Sequence, residues 1–179
     1  MHHRIAADLE QMKQDAMEIF SRIRRLSKKQ KKVLAEKGYR SKDYKALQEE
    51  MSTELMQIRF TTKQVEFLCN SLRGLVDKVR SCERAIMEIC TYKSGMPRAH
   101  FIKVFPGNET NLKWVGEEII NGKGYGKTLE RYRHAILEQQ EGIIQLQKLA
   151  GLSIKDLKEI ARQMSTGEAK ARRAKREMT

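Results

Sequence analysis

Three cysteines, four histidines and one glycine-lysine-threonine run are the residues of this 179-residue chain whose types could do chemistry. Cys69, Cys82 and Cys90 could serve as nucleophiles, metal ligands or disulfide partners. They form no Cys-x-x-Cys pair, and an odd number builds no complete disulfide framework. All three fall at apolar or boundary positions of one helical pattern, which reads as reduced thiols acting as small hydrophobes. His2, His3, His100 and His134 are scattered, without the spacing of a zinc site. The run at 121–128 hints at a phosphate-binding loop. With Gly126-Lys127-Thr128 as its ending, however, the first glycine belongs at 121, where Asn121 stands, and no strand precedes it. It reads as a flexible loop before a helix. No Ser/His/Asp or Cys/His set stands out, so neither enzyme activity nor a metal, cofactor or small-molecule ligand is expected.

The chemistry left is that of charge. The net charge of +13 is uneven. Residues 22–45 hold eleven Lys or Arg against Glu36 and Asp43, and residues 155–177 hold eight against four acids. Those segments carry +9 and +4, and the rest of the chain sums to zero. Two basic surfaces are expected, each suited to phosphate or to an acidic protein surface. In the first, the run at 24–32 lies on the outside of a helix.

The elements that must position these charges are helical. Two prolines and 6% aromatic residues argue against a sandwich or barrel. No apolar run approaches eighteen residues and no signal-peptide core is present, which predicts a cytoplasmic protein with no membrane partner. Ile5, Leu9, Met12, Ala16, Ile19, Ile23, Leu26, Gln30 and Val33 form a heptad seam. Gly38 ends that helix, and Ser41 caps one carrying Tyr44, Leu47, Met51, Leu55 and Ile58. Thr61 and Gln64 form a capping box before a second seam, Val65, Leu68, Leu72, Leu75, Val79, Cys82, Ile86 and Ile89. The expected fold is all-α: long antiparallel helices packed as a bundle with coiled-coil-like seams, the first three on one another, and shorter helices in the C-terminal half.

Pro97 suits the first turn of a short helix bearing Phe101, Ile102 and Phe105. Asn111 can cap a helix bearing Leu112, Val115, Ile119 and Ile120, with Trp114 a packing residue. A helix over about 128–149 points Leu129, Tyr132, Ile136, Leu137, Ile143, Leu146 and Leu149 inward, and Gly142 marks a bend. Gly151 ends it. Ser153 with Asp156 and Ser165 with Glu168 predict two helix starts in succession. The first helix buries Ile154, Leu157, Ile160, Ala161 and Met164. The second, alanine-rich and basic, shows no stop signal before Thr179 and reads as cut rather than finished.

Residues 164–178, Met-Ser-Thr-Gly-Glu-Ala-Lys-Ala-Arg-Arg-Ala-Lys-Arg-Glu-Met, resemble the entry to the conserved core-binding region of primary, sigma-70 type sigma factors of bacterial RNA polymerase. Residues 96–110, from Met96-Pro97 to Gly107-Asn108-Glu109-Thr110, are similar to a segment of the same family's non-conserved region. The resemblance implies a division into residues 1–150, the helical non-conserved region, and 151–179, the truncated start of the conserved second region. It implies core RNA polymerase, through its β′ subunit, as partner, and promoter DNA in the context of the full-length factor. It also implies that this chain alone does not direct promoter-specific transcription. Arg172, Arg173, Lys175 and Arg176 are the expected contacts to nucleic acid or core polymerase. A free-standing helical interaction protein, or a non-specific nucleic-acid binder, remains open on the residues alone.

Overall fold

Ser41 shows how directly local chemistry sets the first turn of the chain. Its hydroxyl oxygen accepts from the Tyr44 backbone N–H at 3.2 Å, satisfying one of the donors a helix start leaves orphaned. Gly38, at φ +74°, supplies the left-handed residue that ends the preceding helix. The computed structural model describes residues 2–39, 41–122 and 124–178, with side chains from Glu10 onward. Helices α1 (His2–Lys37), α2 (Lys42–Met56), α3 (Thr62–Glu88), α4 (Arg98–Val104), α5 (Trp114–Asn121), α6 (Gly126–Arg131), α7 (Arg133–Ala150) and α8 (Ile154–Glu177) follow in order. No strand occurs among the described residues, and the all-α expectation holds. The chain divides into two compact units, Met1–Val65 and Glu66–Thr179.

In the first unit α1 and α2 form an antiparallel hairpin. Lys37 pairs with Asp43 beside the turn, and Arg22 Nε donates to Glu54 Oε2 at 2.9 Å further along. Leu26 and Tyr44 are buried between the helices. The 15 residues of α2 rise about 22 Å, whereas the 36 of α1 rise about 54 Å. The partner is therefore too short for the whole seam. From Ala16 to Val33 the seam is buried or half-buried, but Met12 is exposed, as are Met17 and Phe20 beside it. The side chains of Ile5 and Leu9 lie outside the described residues.

The second unit holds the larger core. Val76, Val79 and Ile86 of α3 are buried with Ile136 and Ile143 of α7 and with Ile154, Leu157 and Ala161 of α8. The C-terminal half of α3 packs on α7 and α8, while Val65 and Leu68 near its start are exposed. At its end α3 widens into a π turn, Ile89–Lys93, where Ser94 N–H donates to the Ile89 carbonyl at 2.9 Å. Gly95 at φ +79° then reverses the chain, and Met96 N–H closes back on the Cys90 carbonyl.

Pro97 stands at the start of α4 as expected, and Trp114 is buried with its ring 5.1 Å from Phe105 and 6.2 Å from Phe101. Six further apolar assignments fail, since Leu55, Ile102, Leu112, Ile120, Leu149 and Ile160 are exposed. The helix expected over 128–149 is broken at Tyr132, whose ψ of 4° interrupts the ladder between α6 and α7. α7 runs unbroken through Gly142, where a Cβ would meet Cys82 Sγ at 3.7 Å, an ordinary van der Waals contact.

The second helix start at Ser165 is also absent. α8 continues from Ile154 to Glu177, Thr166 donates its hydroxyl to the Arg162 carbonyl, and Glu168 pairs with Arg73 of α3. A glutamate drawn to a tertiary partner does not turn back to cap.

Candidate functional site

Packing fixes one half of α8 and frees the other. Ser153 caps its start, accepting from Asp156 N–H at 3.1 Å while its hydroxyl donates to Asp156 Oδ2 at 2.7 Å. Leu157 is fully buried, and Lys158 pairs with Glu83 of α3. Arg73–Glu168 is the last of these anchors along the helix. From Ala169 to Met178 every residue is exposed. Arg172, Arg173, Lys175 and Arg176 therefore stand on an open helix end, brought together by helical pitch. Arg173 Nε reaches Glu177 Oε1 at 2.9 Å, an exposed pair of the kind worth a few tenths of a kcal/mol. The alanines between them, Ala169, Ala171 and Ala174, are also exposed.

Beside the anchored half, a groove of about 1100 Å³ runs between α3, α8 and the turn at 106–109. Its cations are largely engaged: Arg73 with Glu168, Arg80 with Asp77, Lys158 with Glu83 and Arg162 with Glu159. The groove lining is thus close to self-neutralised and makes a poor anion site.

The turn at 106–111 is held by a residue that sequence reasoning missed. Gln140 of α7 is fully buried, and its Nε2 donates to the carbonyls of Asn108 and Asn111 at 3.0 and 3.1 Å. Asn108 in turn donates to the Val104 carbonyl, and Asn111 Nδ2 to Asn108 Oδ1. A glutamine amid apolar helix positions was the available signal, because a buried amide needs partners and loop carbonyls supply them.

Glu118 makes a second polar knot. His100 Nε2 lies 2.9 Å from its Oε2, and the Tyr125 hydroxyl donates to the same oxygen at 3.0 Å. Burial, helped by that hydrogen bond and the Glu118 charge, pushes the Tyr125 hydroxyl up to about 12. Burial first and the Glu118 charge second push the Cys90 thiol up to about 12. A thiol held protonated at neutral pH is no nucleophile, so this knot joins α4, α5 and the next turn without reacting. That turn is compact. A Cβ on Gly126 would enter the Ile119 carbonyl oxygen, and one on Gly122 would strike Tyr125 and the Glu118 carbonyl. These glycines are required by close packing, not by a phosphate. Lys123 lies outside the described residues.

The other basic surface lies on α1. Arg24, Arg25, Lys28, Lys29, Lys31 and Lys32 are all exposed; Arg24, Lys28 and Lys31 lie opposite buried Leu26, and Lys32, Arg25 and Lys29 run round from there toward half-buried Val33. Among the described residues no group of three or more His, Cys, Asp or Glu could hold a metal, and no helix is long and apolar enough to cross a membrane.

Comparison with known proteins brings these surfaces into context. The family model for the sigma-70 non-essential region matches residues 2–147. RNA polymerase sigma factor RpoD of Neisseria gonorrhoeae is 39% identical over 173 residues, which is 97% of this chain and 27% of that protein. The chain thus spans about a quarter of the length of this curated relative. At 97% coverage, the likeness extends past the family match into α8.

Proposed function

The chain belongs to the sigma-70 family, through that family's non-essential region, and on this premise we propose that it works as part of a primary RNA polymerase sigma factor. In that role it helps attach core RNA polymerase to promoters so that transcription starts. Its protein contact is the β′ subunit, and promoter DNA is met in the context of the whole factor. Its contribution is binding and not catalysis, and its compartment is the bacterial cytoplasm. The observation that carries this reading is a likeness that runs through residues 2–147 and on into α8.

Residues 1–150 are the non-essential region and 151–179 the start of the conserved core-binding segment. The family match ending at 147 supports that division, which is one of descent; the compact units divide elsewhere, after Val65. The second unit serves as the mount for α8. Leu157, Lys158 and Glu168 fix the helix, so the exposed cations after Ala169 project from a rigid base. Pre-organisation of this kind lowers the ordering cost of binding. Arg172, Arg173, Lys175 and Arg176 are then the side chains that meet an acidic polymerase surface or nucleic-acid phosphate.

Titration of core RNA polymerase into the fluorescently labelled chain tests this. Saturable binding is expected, weakened at least tenfold when Arg172→Glu and Arg173→Glu are combined. Undiminished binding by that variant would remove the α8 assignment, and no binding by the parent chain would remove the polymerase reading.

A further inference from the structure

The basic face of α1 has no role in the reading above. We propose that it is a binding site for the phosphate backbone of duplex nucleic acid, engaged without regard to base sequence.

At 100° per residue, Arg24, Arg25, Lys28, Lys29, Lys31 and Lys32 fall within an arc of about 160°. They are all exposed, and none makes an ion pair among the described residues. Of the neighbouring acids, Glu18 and Glu54 face Arg22 and Asp43 faces Lys37, while Glu36, one turn beyond Lys32, closes the C-terminal end of the arc. Between positions 22 and 34 the arc contains no acid at all. Such a face is electrostatically unsatisfied in a way that the groove beside α8 is not.

Three observations choose the ligand. The arc holds no large apolar side chain, and a protein interface needs a desolvated core from which lysine is depleted. The apolar side of this stretch, Ile23, Leu26 and Val33, is already turned into the hairpin with α2, so it is not free to enter a lipid surface. The arc also lacks Asn and Gln, the amides that read adenine, and its four lysines, which act as point charges, outnumber Arg24 and Arg25, the two side chains with the fork that can read guanine. Nine helical residues rise about 12 Å, and a duplex presents one phosphate per about 1.7 Å of axis with both strands counted, so about seven phosphates, shared between the two strands, lie within that span. A helix held against α2 by Leu26, Tyr44 and the Arg22–Glu54 pair offers these charges at fixed spacing.

The test is fluorescence anisotropy of a labelled 20-base-pair duplex with the full chain and no polymerase, so its outcome is separate from that of the sigma-factor reading. Contact with about five phosphates predicts a slope of log K against log salt near −4.5, about a 500-fold loss of affinity between 50 and 200 mM salt. Two duplexes of unrelated sequence should bind alike. The combination Lys28→Gln, Lys29→Gln, Lys31→Gln and Lys32→Gln should bring the slope to about −1, while Lys28→Gln alone should lessen it by about 0.9. Glutamine matches lysine in helix propensity, so helicity by circular dichroism should be unchanged. The matched set Arg172→Gln, Arg173→Gln, Lys175→Gln and Arg176→Gln should keep most of the slope. The proposal is overturned if the duplex does not bind, if the α1 set leaves the slope intact, if the α8 set abolishes it, or if polyglutamate competes as well as DNA.

Discussion

The α1–α2 hairpin and the unit that follows it use the same helical grammar to different ends. Among the described residues, the hairpin fully buries only Leu26 and Tyr44 of its large side chains, whereas the unit from Glu66 onward buries a continuous core from Val76 to Ala161. The hairpin spends its sequence on surface charge, with +9 between residues 22 and 45. The second unit spends its own on packing and concentrates exposed charge at one protruding end. One region is therefore a charged rod with a seam, and the other is a mount.

That contrast can be broken most sharply by cavities. Leu157→Ala in the second core should cost about 4 kcal/mol, whereas Leu26→Ala in the hairpin should cost about 2 kcal/mol because its shallow site can collapse or admit water. Hydrogen exchange resolved by segment reads the two losses separately, in α3, α7 and α8 for the first and in α1 and α2 for the second. Equal costs would mean that the hairpin seam is packed as a true core. Gly126→Ala comes next, at about 2 kcal/mol, since its new Cβ has no space beside the Ile119 carbonyl and the backbone must shift. If urea unfolding of that variant matched the parent, the turn would be the loose loop that its glycines suggest.

The smallest effect is invisible at neutral pH. The Cys90 thiol ionises near 9 when unfolded and is pushed up to about 12 by burial in the native unit. Over that interval the native state holds a proton that the unfolded chain releases, so stability falls as pH rises from 9 toward 12. Tyr125, raised from 10 to about 12, adds to the fall over the upper part of the window. Cys90→Ala should lessen the fall of the urea midpoint between pH 9 and 10, leaving the share of Cys82, whose thiol burial also raises, and that of Tyr125 above it.

Much of this architecture was legible because it is written locally. Ser41, Thr61, Pro97, Gly151 and Ser153 act through bonds within a few residues of themselves, and each stands where its helix begins or ends. The α1 seam was readable for the same reason. What escaped was decided by partners far along the chain. Ser165 has a capping-box neighbour, but Arg73 lies 95 residues from Glu168 and takes it. The uninterrupted helix tolerates Gly167 at a cost of about 1 kcal/mol relative to alanine. Leu149 and Ile120 fit the periodicity of a buried face, but no element covers them among the described residues. Gln140 was invisible as a core residue because its partners are carbonyls of a loop about thirty positions earlier. Of the candidate contacts, the exposure of Arg172, Arg173, Lys175 and Arg176 followed from their pattern; the anchoring that presents them needed the α3–α8 packing.

If, as proposed, the second unit is a mount that presents the open end of α8 to core RNA polymerase, the ten residues after Glu168 are where binding must be felt. Hydrogen exchange of the chain, alone and with core RNA polymerase, measures it most directly. Amides over 169–178 should exchange fast in the free chain and slow at least tenfold in the complex, with α3 and α7 little changed. Unaltered exchange over 169–178 in a saturated complex would contradict it.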